Sequence, residues 1–298
     1  MANRKALLII NPRAGKMEAN KHLVEIIEIL CTGNIDALVK TTSCAGDGVK
    51  LVEEYAAGMD LVICVGGDGT FNETLEGVMK NGLNIPIGYI PTGSTNDFAT
   101  SLGLPKDMLE AARVVAYGAP KKVDVGCFNG RHFSYVASFG AFTKASYEAP
   151  QNVKNAIGHS AYILEGVKAL TAIKGENLKI EADGVCYDGE YIFGSVSNST
   201  SVAGILTLDS KLVDMSDGKF ELMLIKMPGS INECNKILFE LGTKEFNSKM
   251  ITFVNAKEIK ISGDETMDWT LDGEYQKGAE EVFIQNLHEA VEVFLPRE

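Results

Sequence analysis

The chain lacks most of what would tie it to nucleic acid, a disulfide frame or a membrane span. Its 298 residues carry 28 Lys and Arg against 40 Asp and Glu, a formal charge of −12. That is the wrong sign for a phosphodiester partner, so no nucleic acid is expected. The four histidines, His22, His132, His159 and His288, fall at spacings that suggest neither a metal pair nor a triad, and they are assigned to packing or surface. The six cysteines (Cys31, Cys44, Cys64, Cys127, Cys186, Cys234) contain no C-x-x-C pair and read as reduced thiols of a cytosolic protein. No apolar run approaches a bilayer span. The first, Ala6 to Ile10, passes straight into Asn11-Pro12-Arg13 and is too short for a signal peptide. The acidic balance also weakens attraction to anionic membrane, although a local patch acts over a Debye length of about 8 Å and is not forbidden.

Two familiar phosphate loops are missing as well. Gly66, Gly67 and Gly69 do not make G-x-G-x-x-G, and no acidic residue follows at the end of a second strand as a dinucleotide site needs. Gly15-Lys16 ends like a Walker loop, but Ile10 stands where its first glycine belongs and Met17 where its Ser or Thr belongs.

What is present is a glycine turn of a different kind. Gly66-Gly67-Asp68-Gly69-Thr70-Phe71-Asn72-Glu73 follows the apolar run Leu61 to Val65 and precedes a helical pattern from Asn72. Glycines there let backbone approach a bulky anion at a helix head, where free N–H groups and the dipole favour phosphate. Asp68 among them should repel phosphate unless a divalent cation or a network of donors lies between. A second loop, Pro91-Thr92-Gly93-Ser94-Thr95-Asn96-Asp97, follows the apolar run Ile85 to Ile90.

With 45% apolar residues the chain can bury one large or two medium domains. Residues 1 to 124 alternate strands (Ala6 to Ile10, Ala37 to Val39, Leu61 to Val65) with helices (Asn20 to Leu30, Gly48 to Ala56). This predicts a parallel α/β sheet whose loops gather at the carboxyl ends of the strands, Asn11 to Gly15 and Thr41-Thr42 included. Beyond Val123-Asp124-Val125 the texture changes to period-2 strands broken by Asn-Gly and Asp-Gly turns at Asn129-Gly130, Asp183-Gly184, Asp188-Gly189 and Asp217-Gly218. A β-rich domain over 125–287 is expected, interrupted by an amphipathic helix from Ser160 to Lys174 that packs on a sheet.

Trp269-Thr270-Leu271-Asp272-Gly273-Glu274 sets two carboxylates about a glycine. With the two loops it supplies what phosphoryl transfer to a hydroxyl requires, namely a phosphate cradle, a metal-organising carboxylate and a proton acceptor. At this point the chain resembles the diacylglycerol kinase catalytic family, specifically the bacterial soluble lipid kinases that are similar to sphingosine and ceramide kinases. The motifs that carry the resemblance span nearly the whole chain: Asn11 to Gly15, Gly66 to Glu73, Gly93 to Ala99, Val123 to Val125 and Leu271 to Glu274.

The resemblance implies an N-terminal α/β nucleotide-binding domain like that of phosphofructokinases and NAD kinases, a C-terminal β-sandwich domain with an apolar acyl pocket, and a cleft between them. Val291 to Leu295 would return to the first domain as a strand. It implies ATP contacts at Asn11, Pro12, Arg13, Ala14, Gly15, Thr42, Gly67, Asp68, Gly69, Thr70, Phe71, Asn72, Glu73, Ser94, Asn96 and Asp97. Asp68 would organise the metal, and Glu274 with Asp272 beside it would take the hydroxyl proton, the choice between the two staying open. It also implies a structural Mg²⁺ at Asp214, Asp217 and Lys219, with Asp124 joined through water. The implied reaction is Mg²⁺-dependent transfer of the γ-phosphate of ATP to a lipid hydroxyl, diacylglycerol first among candidates, by a cytoplasmic homodimer in transient peripheral contact with the membrane. The family pattern is broken at Ser94-Thr95 and at Ser216, the latter leaving room for water as a metal ligand. Two other readings stay open: a kinase of a soluble hydroxyl compound such as NAD or a sugar, and a nucleotide-binding module without catalysis.

Overall fold

The computed structural model describes residues 3–15, 17, 19–140, 174–202, 206–207 and 213–297. The chain folds as two compact units, one of Met1–Val125, Arg131–Ser134 and Leu287–Glu298, the other of Gly126–Gly130 and Tyr135–Asn286.

The first unit alternates β1 (Arg4–Ile10), α1 (Ala19–Thr32), β2 (Ile35–Thr41), α2 (Asp47–Tyr55), β3 (Leu61–Gly66), α3 (Asp68–Lys80), β4 (Ile87–Pro91), α4 (Asp97–Ser101) and α5 (Met108–Tyr117). Its parallel sheet runs β2, β1, β3, β4, with Leu8 beside Val39 on one side and Ile63 on the other. Successive strands leave β1 in opposite directions, so a topological switch point lies between β1 and β3, where ligand crevices form at the carboxyl ends. β3 is buried along its whole length, as a central parallel strand must be. Leu8, Ile10, Ile63 and Val65 pack with Ile26 and Leu30 of α1 and with Ala111, Ala112 and Val115 of α5. Each such aliphatic side chain contributes roughly 1.5–3 kcal/mol by leaving water. Asp107 starts α5, its Oδ1 accepting from Leu109 N and Glu110 N, both at 2.9 Å.

α3 begins at Asp68, four residues before the expected Asn72, because Gly67 serves as an extended N-cap and the remaining glycine turn is already helical. Its first turn therefore contains the phosphate motif.

The second unit is antiparallel, so the α/β plus β-sandwich architecture expected from the sequence is what the chain adopts. β5 (Ala119–Phe128) runs from the first unit into the second and β6 (Arg131–Phe133) belongs to the first; then follow β7 (Val136–Gly140), β8 (Glu176–Ala182), β9 (Val185–Ser197), the short pair β10 (Ser201–Val202) and β11 (Leu206–Thr207), and β12 (Phe220–Lys226). Then come α6 (Ile231–Thr243), β13 (Ile251–Ala256), β14 (Glu258–Ser262), β15 (Trp269–Leu271), β16 (Glu274–Gln276) and β17 (Glu281–Leu295). Trp269 is fully buried, edge-on to Phe128 and Phe139. Three Asx-Gly pairs make two-residue turns with both central residues at positive φ, namely Asn129-Gly130, Asp183-Gly184 and Asp272-Gly273, the hairpin geometry that matches strand twist.

One expectation about this half is corrected. Tyr187-Asp188-Gly189 does not turn: these residues continue β9, pairing with Ile180, Lys179 and Leu178, because Asp183-Gly184 has already reversed the chain. Val291 to Leu295 is the end of a 15-residue strand, β17, whose start pairs with β14 and whose Val293 lies parallel to Ile87 of β4. The helix expected over Ser160 to Lys174 lies, except for Lys174, outside the described residues, as does His159.

Candidate active site

The loops after β1, β3 and β4 are interlocked through their backbones. A Cβ on Gly15 would lie 2.2 Å from the Thr92 carbonyl oxygen, and one on Gly93 would lie 2.7 Å from Gly67 Cα. Only glycine permits this approach, and Gly15 also takes φ +55. Asn11 links β1 to α3, its Nδ2 donating to Thr70 Oγ1 at 3.1 Å while its Oδ1 accepts from Arg13 N at 3.0 Å. Pro12 O accepts from Asn20 Nδ2, Ala14 is nearly buried, and Thr42 N donates to Ile10 O, fixing the start of the β2 loop. Asn96, at φ +53, closes the second loop by pairing its amide with both backbone groups of Gly93 at 2.9 Å.

The carboxylates explain how acids tolerate this place. Asp68 Oδ2 accepts from Asp97 N at 3.0 Å, and its Oδ1 faces Phe98 N at 3.3 Å and the Tyr89 hydroxyl at 3.4 Å. It thereby caps α4 and ties the two glycine loops together. Glu73 Oε1 accepts from Gly46 N at 2.7 Å and Oε2 from Gly48 N at 2.8 Å, capping α2, whose own N-cap Gly46 has no side chain to do so. Asp47 gathers Ser43 Oγ, Ser43 N and Cys44 N, and these bonds, that of the Ser43 hydroxyl first, hold its pKa well below the usual carboxylate range.

Among the described residues, carboxylates from other elements cap the N-termini of α2 and α4, whereas α3 shows no such cap. Its positive end is therefore the one that favours an anion. Beside it a cavity of about 360 Å³ is lined by Gly15, Pro91, Thr92, Gly93, Ser94, Asn96, Lys106 and Met108. A neighbouring one of about 250 Å³ is lined by Ser94, Thr95, Asn96 and Lys106 among others. Lys106 is the charged residue in both linings, and the sequence reading missed it. The signal was available as Pro105-Lys106-Asp107, a helix start that sets a lysine next to the cap of α5.

Other expected nucleotide residues have their side chains engaged elsewhere. Phe71 is fully buried, stacked on Tyr89 and Phe98 at 4.6 and 4.8 Å between centroids. Asn72 Nδ2 reaches His132 O at 3.4 Å. One turn on, Glu76 accepts from His132 N and Nδ1 and pairs with Lys80 at 2.9 Å. Burial pushes its pKa up, but the bonds from His132 and Lys80 outweigh burial and hold it at about 2.

In the second unit the two turn carboxylates differ. Asp272 is buried at φ +50, and its Oδ1 accepts from Tyr135 N at 2.9 Å and Val136 N at 3.0 Å. Glu274, at the start of β16 and paired across the turn with Leu271, is exposed. One is an anchor and the other is accessible.

The turn of Asp214, Asp217 and Lys219 is tied by its own side chains. Asp214 Oδ1 accepts from Ser216 N and Oγ, Asp217 Oδ1 accepts from Lys219 N, and Lys219 O accepts from Asn286 Nδ2 at 3.1 Å. Just beyond, Glu221 is buried and neither of its oxygens has a hydrogen-bond partner among the described residues. Burial pushes its pKa up to about 8, with Asp217 and Asp214 adding to the rise. Among the described residues no group of three His, Cys, Asp or Glu side chains forms a metal cage. The set that the resemblance implies does not need one, since it takes Asp217 by its side chain and Asp214 and Lys219 by their backbone carbonyls. In its own unit, Asp124 is fully buried, with Oδ1 accepting from Glu289 N at 2.7 Å and lying 3.0 Å from His288 Nδ1.

The sequence matches the family model for the diacylglycerol kinase catalytic domain over residues 5–128. It is 33% identical over 299 residues to a diacylglycerol kinase of Bacillus subtilis, covering 99% of this chain and 97% of that protein. It is 31% identical over 303 residues to a diacylglycerol kinase of Staphylococcus carnosus, covering 99% and 96%. A crystal structure of a diacylglycerol kinase from Bacillus anthracis superposes with a TM-score of 0.76 at 26% identity, covering 98% of this chain and 97% of that one.

Proposed function

This chain belongs to the diacylglycerol kinase catalytic family and is a lipid kinase, and from that premise we propose that it transfers the γ-phosphate of ATP to the free hydroxyl of diacylglycerol, giving phosphatidic acid. The observation that carries the nucleotide half is the α3 N-terminus, which has no side-chain cap among the described residues, beside the cavity of Gly15, Gly93, Ser94 and Lys106. Phosphates placed there meet helix donors and the Lys106 charge, while the acids nearby are already neutralised by backbone N–H groups. Asp68 is only partly buried, so it can meet a cation in addition to its present donors. Magnesium bound with the nucleotide would offset charge on the transferred phosphoryl group. Glu274, free of any structural duty in its turn, takes the proton of the attacking hydroxyl.

A second, structural Mg²⁺ fits Asp217 with the carbonyls of Asp214 and Lys219. All three are hard oxygen donors. Asp217→Ala should then lower activity several-fold; full activity with unchanged Mg²⁺ dependence would remove this ion from the account.

The reading is tested with purified protein, ATP labelled on the γ-phosphate and mixed micelles containing one candidate alcohol at a time. Labelled phosphatidic acid is the expected product. Preferential labelling of a sphingoid base or phosphatidylglycerol would keep the lipid kinase and replace its substrate.

A further inference from the structure

The helix α6 of the second unit turns its two faces to different surroundings. Cys234, Ile237 and Leu241 are buried against Phe193, Met223, Ile225 and Ile251. On the outer face Ile231 and Phe239, eight residues apart on one stripe, are each 68% exposed. Asn235 and Gly242, which share that stripe at helical spacing, are exposed too.

The acids of this helix are withdrawn from its outer face. Glu233 Oε2 accepts from Gly229 N at 2.7 Å and helps start the helix with the N-cap Ser230. Glu240 is buried, accepting from Asn247 N, Ser248 N and Ser248 Oγ. The charges left exposed on the helix and its C-cap are Lys236 and Lys244, with Lys249 close behind and Glu245 the one exposed acid between them. In a chain of net charge −12 this segment is balanced, three lysines against three glutamates, and its exposed charges around the two apolar side chains are mostly lysines.

We propose that the outer face of α6 docks on an anionic lipid bilayer, Ile231 and Phe239 entering the boundary between headgroups and acyl chains while Lys236, Lys244 and Lys249 meet lipid phosphates. Exposed apolar tips flanked by lysines whose stems can snorkel are the chemistry of an interfacial helix. Lysines within a Debye length of the surface feel anionic lipid even though the whole molecule is acidic. A second copy fits less well, since symmetric pairing of this face would oppose like lysine charges. The inference rests on the lipid-kinase reading, which requires the enzyme to reach a substrate held in a membrane.

The test is co-sedimentation of the full chain with phosphatidylcholine vesicles, with and without phosphatidylglycerol and without diacylglycerol, so that binding is read apart from catalysis. Wild-type protein should bind the anionic vesicles and lose binding as salt is raised. Ile231→Ser with Phe239→Ser should cut partitioning by about tenfold or more, and Lys236→Glu with Lys244→Glu should abolish the preference for anionic vesicles. Both variants should keep wild-type circular dichroism and wild-type KM for a water-soluble short-chain diacylglycerol, with KM raised only for vesicle-borne substrate. Unchanged vesicle binding in both variants overturns the proposal. So does a lipid-free change in sedimentation coefficient, which would identify the face as a contact between copies. If short-chain lipid is phosphorylated while vesicle binding ignores α6, the docking surface is wrong and the kinase stands. Vesicle binding that follows α6 without phosphorylation of any lipid would fail the function instead.

Discussion

Asp68 and Asp272 solve the same local problem in two units with opposite consequences. Each sits in a glycine turn and accepts backbone N–H groups from a distant segment, Asp97 and Phe98 for one, Tyr135 and Val136 for the other. Asp272 is sealed from solvent, so it holds a turn and leaves Glu274 outside and accessible. Asp68 stays partly open at the head of a helix that no described side chain caps, so it can hold its loop and still face charge brought by a ligand. Hydrogen bonding is alike in the two turns; what differs is residual exposure.

The largest effect that would sharpen this contrast lies in the second turn. Glu274→Gln should lower kcat by about 10²–10⁴ with ATP affinity nearly unchanged, the scale of a lost general base. Asp272→Asn should cost far less, because asparagine keeps an acceptor for the two N–H groups and suits a positive φ before glycine. If Asp272→Asn proves the more damaging change, the two roles must be exchanged.

Next comes the first turn. Asp68→Asn should reduce kcat by at least about a hundredfold, since its amide cannot accept from the second loop on both sides nor supply charge. A folded variant with near-normal turnover would reduce Asp68 to a clamp like Asp272.

A smaller effect separates holding the nucleotide from transforming it. Glu73 acts through the Thr42–Gly48 loop, so Glu73→Gln should raise the KM for ATP by about five- to tenfold with little change in kcat, the size of one lost charge-assisted hydrogen bond. Gly48→Ala should reproduce it, because a Cβ there would lie 2.7 Å from Glu73 Cβ. Equal losses in kcat and kcat/KM would instead put Glu73 in the transition state.

The smallest effect concerns stability. Glu76 titrates at about 2 in the fold against 4.5 for its unperturbed value. A depressed carboxylate stabilises above its unfolded pKa, and that contribution is lost as pH falls from about 4.5 towards 2. It is on the order of 3 kcal/mol. Acid melts of wild type and Glu76→Gln should therefore converge near pH 2 and diverge above about pH 4.5. Parallel curves across that window would deny Glu76 its pairing with His132.

Much of this was legible in the sequence. Apolar runs and helical patterns placed β1, β3, α1 and α2 to within a few residues, and the Asx-Gly pairs at 129 and 183 read correctly as turns. The glycine loops marked the edge where the site sits. What sequence could not show were partners set by folding. Glu73 meets amides 25 and 27 residues upstream, Tyr89 reaches Asp68, and Lys106 lines the cavity through a short helix connection. Asp188-Gly189 misled because an earlier turn had already made the reversal, leaving the same dipeptide to serve as strand. The first turn of α3 was missed because glycines discourage helix in isolation, whereas here the buried Phe71 and the Asp68 clamp stabilise it.

The central claim is tested most directly by supplying labelled ATP and Mg²⁺ to the protein in a single mixture of diacylglycerol micelles, NAD and a hexose. The account predicts label in phosphatidic acid, dependent on Mg²⁺ and absent from Glu274→Gln. Label in NAD or the sugar, with the lipid untouched, would contradict it.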